Sequence, residues 1–315
     1  MEQAVRTRDL AGDEGLPLPL GDLVITGMAT LAAAYLAIAG RWAAGAPRAI
    51  VTFSIIAIGP PVLRALARKF PGARVVDMVG SFWLLPAVAF GHCNLSPLVD
   101  AVHPRLLDAW LSMADLRLFG FHPSVFLERH AGPALTEAVM LCYYTYFLWP
   151  VVVGALLYFK RERRLFDEYI LALALFFAAN FVLYLVIPAI GPRFFLAGEF
   201  QRPLQGLFFT PFLDSLMRSA PFNRDCFPSG HTGITLVMLT YAYRYHRRFF
   251  WGILPVATGL ILATLIGRFH YGVDLLAAVP LTAAAVSAAG ALSRASPRGV
   301  VMGTSFSALR ESEAG

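Results

Sequence analysis

The chain has 315 residues, 57% of them hydrophobic and 15% charged, with a mean hydropathy of +0.62 and a net charge of +6. So apolar a composition excludes an ordinary soluble domain, and several runs reach the roughly 18–20 residues needed to cross a bilayer. The positive charge is not a nucleic-acid footprint, because the basic residues fall in short clusters between apolar runs and no nucleic-acid motif accompanies them. Cys93, Cys142 and Cys226 have no metal-like spacing, which excludes a zinc-finger reading.

In chain order, residues 1–21 carry Arg6, Arg8, Asp9, Asp13 and Glu14 and lack the cleavage site of a signal peptide. They are expected to form a cytoplasmic segment. About eight transmembrane helices follow, near 22–40, 49–67, 76–93, 134–159, 168–189, 231–246, 249–267 and 270–292. The fold class is therefore an all-α integral membrane protein. Two additional N-terminal helices occupy 22–74, with a break at Pro60-Pro61, and a catalytic membrane domain spans 75–292. Residues 293–315, rich in Ser, Arg, Glu and Gly, read as a disordered tail. No internal repeat is visible.

Four basic clusters set the orientation: Arg64, Arg68, Lys69 and Arg74; Lys160, Arg161, Arg163 and Arg164; Arg244, Arg247 and Arg248; and Arg294 with Arg298. All fall on one side of the eight-helix arrangement, which the positive-inside rule makes cytoplasmic. The loop ending at His231 and the turn at Arg268–His270 then share the opposite, external face. The link from Asn94 to Pro133 mixes apolar anchors with charges over Ala114–Pro123 and is expected to lie along the interface as short amphipathic helices. A brace or a lid over the site are the two roles such a segment offers.

The motifs converge on that external face. Pro228-Ser229-Gly230-His231 opens an apolar helix, where unpaired N–H groups and the helix dipole favour an anion. Ser229 reads either as a phosphate-loop residue or as a plain N-cap. His270 and Asp274, four apart, share a helix face, so they read either as a carboxylate orienting one ring nitrogen and leaving the other to attack, or as a pair that only bolts the eighth helix in place. Gly191-Pro192-Arg193 closes the fifth helix and sets at the mouth a guanidinium that reads either as a partner for phosphate oxygens or as a snorkelling interface arginine. No carboxylate cluster stands ready for Mg²⁺, so neither a metal nor another cofactor is expected. Tyr143, Tyr144, Tyr146 and Trp149 offer aromatic packing or a headgroup contact. Cys93 and Cys226, both near the external face, offer a disulfide or two small apolar side chains.

Pro228-Ser229-Gly230-His231 followed by His270-x-x-x-Asp274 resembles the type 2 phosphatidic acid phosphatase (PAP2) superfamily, over roughly Val75 to Ala291. Gly191-Pro192-Arg193, His270-Tyr271 and Leu118-Phe119-Gly120-x-x-Pro123 look most like its inositol phosphorylceramide synthase branch. The resemblance implies a six-helix core behind the two added helices, and a membrane lipid phosphate or phosphodiester as substrate. It also implies a phosphohistidine intermediate: His270 as nucleophile oriented by Asp274, and His231 as acid and then base toward water or a hydroxyl acceptor. Arg193, Ser229 and Gly230 would hold the phosphate. The chain departs from the superfamily's fuller pattern at Val186, where a Lys is usual, and at Ala263 and Thr264, where Ser-Arg is usual. Arg268 is the candidate replacement for that arginine. The resemblance leaves hydrolase and headgroup transferase side by side. A transporter or a scaffold with a relic site is the non-enzyme alternative, disfavoured because its ionisable residues sit at one face and not at mid-membrane.

Overall fold

A computed structural model describes residues 18–295 except 71, 161–162 and 220–223. Most of the expected cytoplasmic segment and of the disordered tail, together with Arg161 and Arg298, lie outside the described residues.

Among the described residues, five helices are long and apolar enough to cross a membrane: α1 (Leu20–Ile38), α2 (Ala46–Lys69), α10 (Arg163–Val186), α14 (Arg247–Ile266) and α15 (Gly272–Ala295). Two further spans are broken. Helix α3 (Arg74–Ser81) meets α4 (Leu84–His92) at 47°, and α8 (Pro133–Tyr144) meets α9 (Leu148–Phe159) at 44°. Both were expected to be continuous helices, and proline explains the breaks. Pro86 and Pro150 are the third residues of α4 and α9. A proline there cannot donate to the carbonyl four residues back, and its ring crowds that carbonyl, at Phe82 and Tyr146. By contrast, α2 runs unbroken through Pro60-Pro61, where a break was expected.

Among the described residues the candidate spans thus number five, or up to seven with each bent pair taken as one, against the eight expected. The expected helix near 231–246 is α13 (Gly230–Tyr245), which has 16 residues. The link after α4 folds into three short helices: α5 (Ser96–Val102), α6 (Asp108–Phe119) and α7 (Pro123–His130). Helices α11 (Pro192–Phe195) and α12 (Phe209–Ser219) fill the segment before α13. No strand occurs among the described residues; a lone parallel bridge joins Ala189 to Asp225.

Helix α10 is the axis of the bundle. It is the most buried span, and it packs against α1, α9, α13 and α15 through Phe166, Tyr169, Leu173, Phe176 and Phe177. Gly233 of α13 lies so close to Phe176 that an added Cβ would sit 1.9 Å from the ring, which fixes α13 tightly on this axis. At the end carrying the basic clusters, buried Arg64 pairs with Asp22 at 2.8 Å, and Arg163 reaches Asp77 at 3.4 Å. The paired charges join α1, α2, α3 and α10 where isolated charges would be costly.

Candidate active site

The first turn of α13 grows from Cys226-Phe227-Pro228-Ser229. The Ser229 side chain caps the helix, accepting from the Thr232 amide at 3.2 Å, and its own amide donates to the Asp274 carbonyl at 3.1 Å. The Ser229 side chain is thus a buried N-cap of α13. Among the described residues no partner is found for the Gly230 and His231 amides, the two donors left at this helix start. Gly230 is needed for space: a Cβ would lie 2.9 Å from the Tyr184 hydroxyl and 3.1 Å from Asn180. Asn180 also donates to the Pro228 carbonyl at 2.9 Å, tying the loop to α10.

His270 ends the turn between α14 and α15. Its Nδ1 lies 2.8 Å from the Cys226 carbonyl and 3.2 Å from Asp274 Oδ2. A carbonyl only accepts, so Nδ1 carries the proton and Nε2 is left as the free lone pair. Asp274 is fully buried, and its Oδ2 also accepts from the Tyr271 amide (2.8 Å) and the Cys226 thiol (3.0 Å). The His231 ring lies 6.0 Å from His270, centroid to centroid. The α8–α9 break delivers Tyr143 and Tyr146 onto His231, with ring centroids 4.7 and 4.4 Å away.

Arg193 sits at the same end through Phe269: its guanidinium is 5.8 Å from that ring, which lies 5.0 Å from Tyr143. It is held there by an ion pair with Asp214 of α12. The backbone is shaped for this closeness. Gly191 has φ +84°, and a Cβ on it would lie 2.6 Å from the Phe269 carbonyl, so only glycine fits. Arg268 points elsewhere: its Nη2 donates to Glu128 (3.1 Å) and the Arg202 carbonyl (2.7 Å), and its guanidinium covers the Phe200 ring. It fastens α7 and the loop after α11.

Four residues to which the sequence motifs assigned no role hold those motifs together. Asp108 of α6 accepts from the Ile190 and Gly191 amides and the Tyr271 hydroxyl at 2.9–3.0 Å. Asp115, two turns later, accepts from the Gly272 and Val273 amides at 3.0 and 2.8 Å, capping α15. Thus α6 braces the Gly191 and His270 motifs. Asp225 pairs with His92 of α4 at 2.6 Å. Burial alone would push the Asp225 carboxyl up, but the pairing with His92 outweighs it and holds the carboxyl below its usual range.

Cys93 and Cys226 are both free thiols, Cys93 exposed and Cys226 buried. Cys226, His270 and Asp274 bring possible metal-ligand atoms within 4.8 Å of one another. Burial, reinforced by Asp274, pushes the Cys226 thiol well above its ordinary value, so it stays a donor to Asp274 and suits a metal poorly.

Two histidines, a buried carboxylate, a helix start and an arginine thus gather at one end of a bundle of membrane-length helices. The chain matches the PAP2 superfamily over residues 109–288, more than half its length, and it belongs to that superfamily. It is a multi-pass integral membrane protein. It is also similar to a PA-phosphatase related-family protein of Dictyostelium discoideum, at 23% identity over 176 residues, covering 49% of this chain and 32% of that one. The chain thus spans about a third of the length of this curated relative. No solved structure matches it. The superfamily match begins inside α6, so α1 to α5 lie outside it.

Proposed function

We propose that the protein is a lipid phosphatase or phosphotransferase that works through a phosphohistidine on His270, on the membrane face opposite the basic clusters. The observation that carries this is the His270 ring, with Nδ1–H bonded to a carbonyl and Nε2 free, facing His231 6.0 Å away. In the first step Nε2 of His270 attacks phosphorus and the bond to the leaving oxygen breaks. Protonated His231 gives that oxygen its proton. In the second step neutral His231 takes a proton from water, whose oxygen attacks phosphorus, and the P–N bond breaks. Asp274 stabilises the positive charge that His270 acquires in between.

The phosphate oxygens would meet the Gly230 and His231 amides and the Arg193 guanidinium, where negative charge develops. The phosphate must share or displace Asp214 on Arg193. Arg268 is left out of this clamp, because Glu128 and Arg202 engage it. No step needs a metal or cofactor.

Transfer to a hydroxyl acceptor is the second reading. What favours it is the Leu118–Pro123 segment of the inositol phosphorylceramide synthase likeness, which packs against the His270 motif: Phe119 and Pro123 close directly on Gly272. The test is brief exposure of purified protein to labelled lipid phosphate, followed by a search for acid-labile phosphate on His270. His270→Ala is expected to abolish trapping, and His231→Ala to slow it at least a hundredfold. Full turnover in both variants would sink the mechanism. Adding candidate hydroxyl acceptors separates free phosphate from a new lipid.

A further inference from the structure

A well-formed cavity lies away from the histidines, between α1, α2, α4, α5 and α10, with a volume of about 340 Å³. Except for α10, every wall comes from the part of the chain outside the superfamily match. Met28, Ala32, Phe53, Gly91, Phe181 and Leu185 are typical of its lining. One lining residue, Tyr35, carries a polar side-chain atom, and its hydroxyl is engaged by the Ala101 carbonyl at 3.2 Å. Water entering this space would find no partners, so its occupant is hydrocarbon.

Two further observations say which hydrocarbon. Leu31 and Val182, both in the lining, are 73% and 54% exposed, so the cavity opens sideways toward the lipid around the bundle. Its other end adjoins the site. Gly91 precedes His92, which pairs with Asp225 of the motif loop; Phe181 and Leu185 flank Tyr184, whose ring lies 6.5 Å from His92 and whose hydroxyl abuts Gly230. An apolar chamber open to lipid and leading to a polar cluster matches one ligand shape, a chain with a head.

We infer that this cavity is an acyl-chain site, seating one hydrocarbon chain of the lipid whose head is processed at His270, with His92 and Asp225 at the junction of chain and head. The inference rests on the proposed phosphoryl-transfer reading for the identity of the head, not for the presence of the chain. It gives α1, α2, α4 and α5 a role in choosing substrates by chain length.

The test uses the full chain in nanodiscs with phosphatidic acid carrying a mid-chain diazirine, and separately with diacylglycerol carrying the same chain. After photolysis, label is expected on α1 and α10 at Met28, Ala32, Phe181 and Leu185. An excess of the same unlabelled lipid should reduce it at least fivefold, leaving label on the outer surface of α14 at Trp251 unchanged. Saturation by phosphatidic acid supports a lipid phosphate in the cavity, and saturation by diacylglycerol alone supports a hydroxyl-bearing lipid there. Label at Met28 and Phe181 that is no richer than at Trp251, or that no competitor removes, overturns the inference. Ala32→Phe, which fills the chamber, should raise KM for long-chain lipid phosphate about tenfold and leave a six-carbon analogue unaffected; equal effects on both also overturn it. The labelling needs no turnover, so its outcome stands apart from any failure to detect phosphate release.

Discussion

Replacing Asp274 with asparagine separates the orienting role of this carboxylate from its charge. Oδ2 accepts three hydrogen bonds, from His270, Tyr271 and Cys226, whereas Oδ1 is buried with no partner among the described residues. An asparagine with its oxygen in the Oδ2 position keeps all three bonds and puts its NH₂ where Oδ1 was. The fold then loses only the unmet donors of a buried amide, about 1–3 kcal/mol. The chemistry loses far more. When Nε2 attacks, the His270 ring becomes cationic 3.2 Å from the carboxylate oxygen. At an effective dielectric of about 20, that attraction is worth about 5 kcal/mol. The amide dipole of asparagine recovers part of it, leaving a loss of about 3–5 kcal/mol, or roughly 10²–10⁴ in kcat at 1.36 kcal/mol per decade. The assay is single-turnover phosphate release from a lipid phosphate, with thermal unfolding of the same preparation as control. A folded Asp274→Asn protein retaining kcat within about threefold of the parent would refute this account, because the carboxylate charge would then have no part in the reaction.

Asp214→Asn frees Arg193 from its carboxylate partner and is expected to lower KM for lipid phosphate severalfold, measured in the same assay; a rise in KM would show that Asp214 positions Arg193 and does not compete with substrate. Gly191→Ala should lower stability by about 2 kcal/mol or more, read by thermal melting, since both its positive φ and the Phe269 carbonyl exclude a Cβ. The Asp225 carboxyl is held below its usual range, so its pairing with His92 stabilises the fold above the ordinary carboxylate pKa of about 3.9. That contribution disappears as pH falls through the lowered folded value. Asp225→Asn should remove this part of the acid-side slope in a plot of melting temperature against pH, and an unchanged slope would count against it.

The motifs were legible because their information is local. His270 and Asp274 stand one helical turn apart, Ser229 stands at the start of a helix, and Gly191 follows one; spacing alone states what each can do. The apolar runs were legible for the same reason. What stayed hidden depends on partners far along the chain. Asp108 touches Tyr271 across 163 positions and Asp115 touches Gly272 across 157, so nothing beside either carboxylate reveals its use. Their seven-residue spacing, which puts both on one face of α6, was the available signal. His92 meets Asp225 across 133 positions, so nothing beside it in the chain marks that pairing. The bent spans were misjudged because hydropathy does not register a missing N–H: Pro86 and Pro150 are apolar enough to continue a run and still interrupt the ladder beneath it. Arg268 shows the reverse case, a cation in the right stretch of sequence whose backbone, at φ 65°, turns it toward Glu128.

The grip of α6 on both ends of the site bears on how the chain is made. The carboxylates of Asp108 and Asp115 leave the ribosome long before Tyr271, Gly272 and Val273, the groups they bind. Until α15 is inserted, His270 has no Asp274, α15 has no cap, and two acids in the link remain unmatched. The proposed catalytic centre therefore comes into being only as α15 seats against α6.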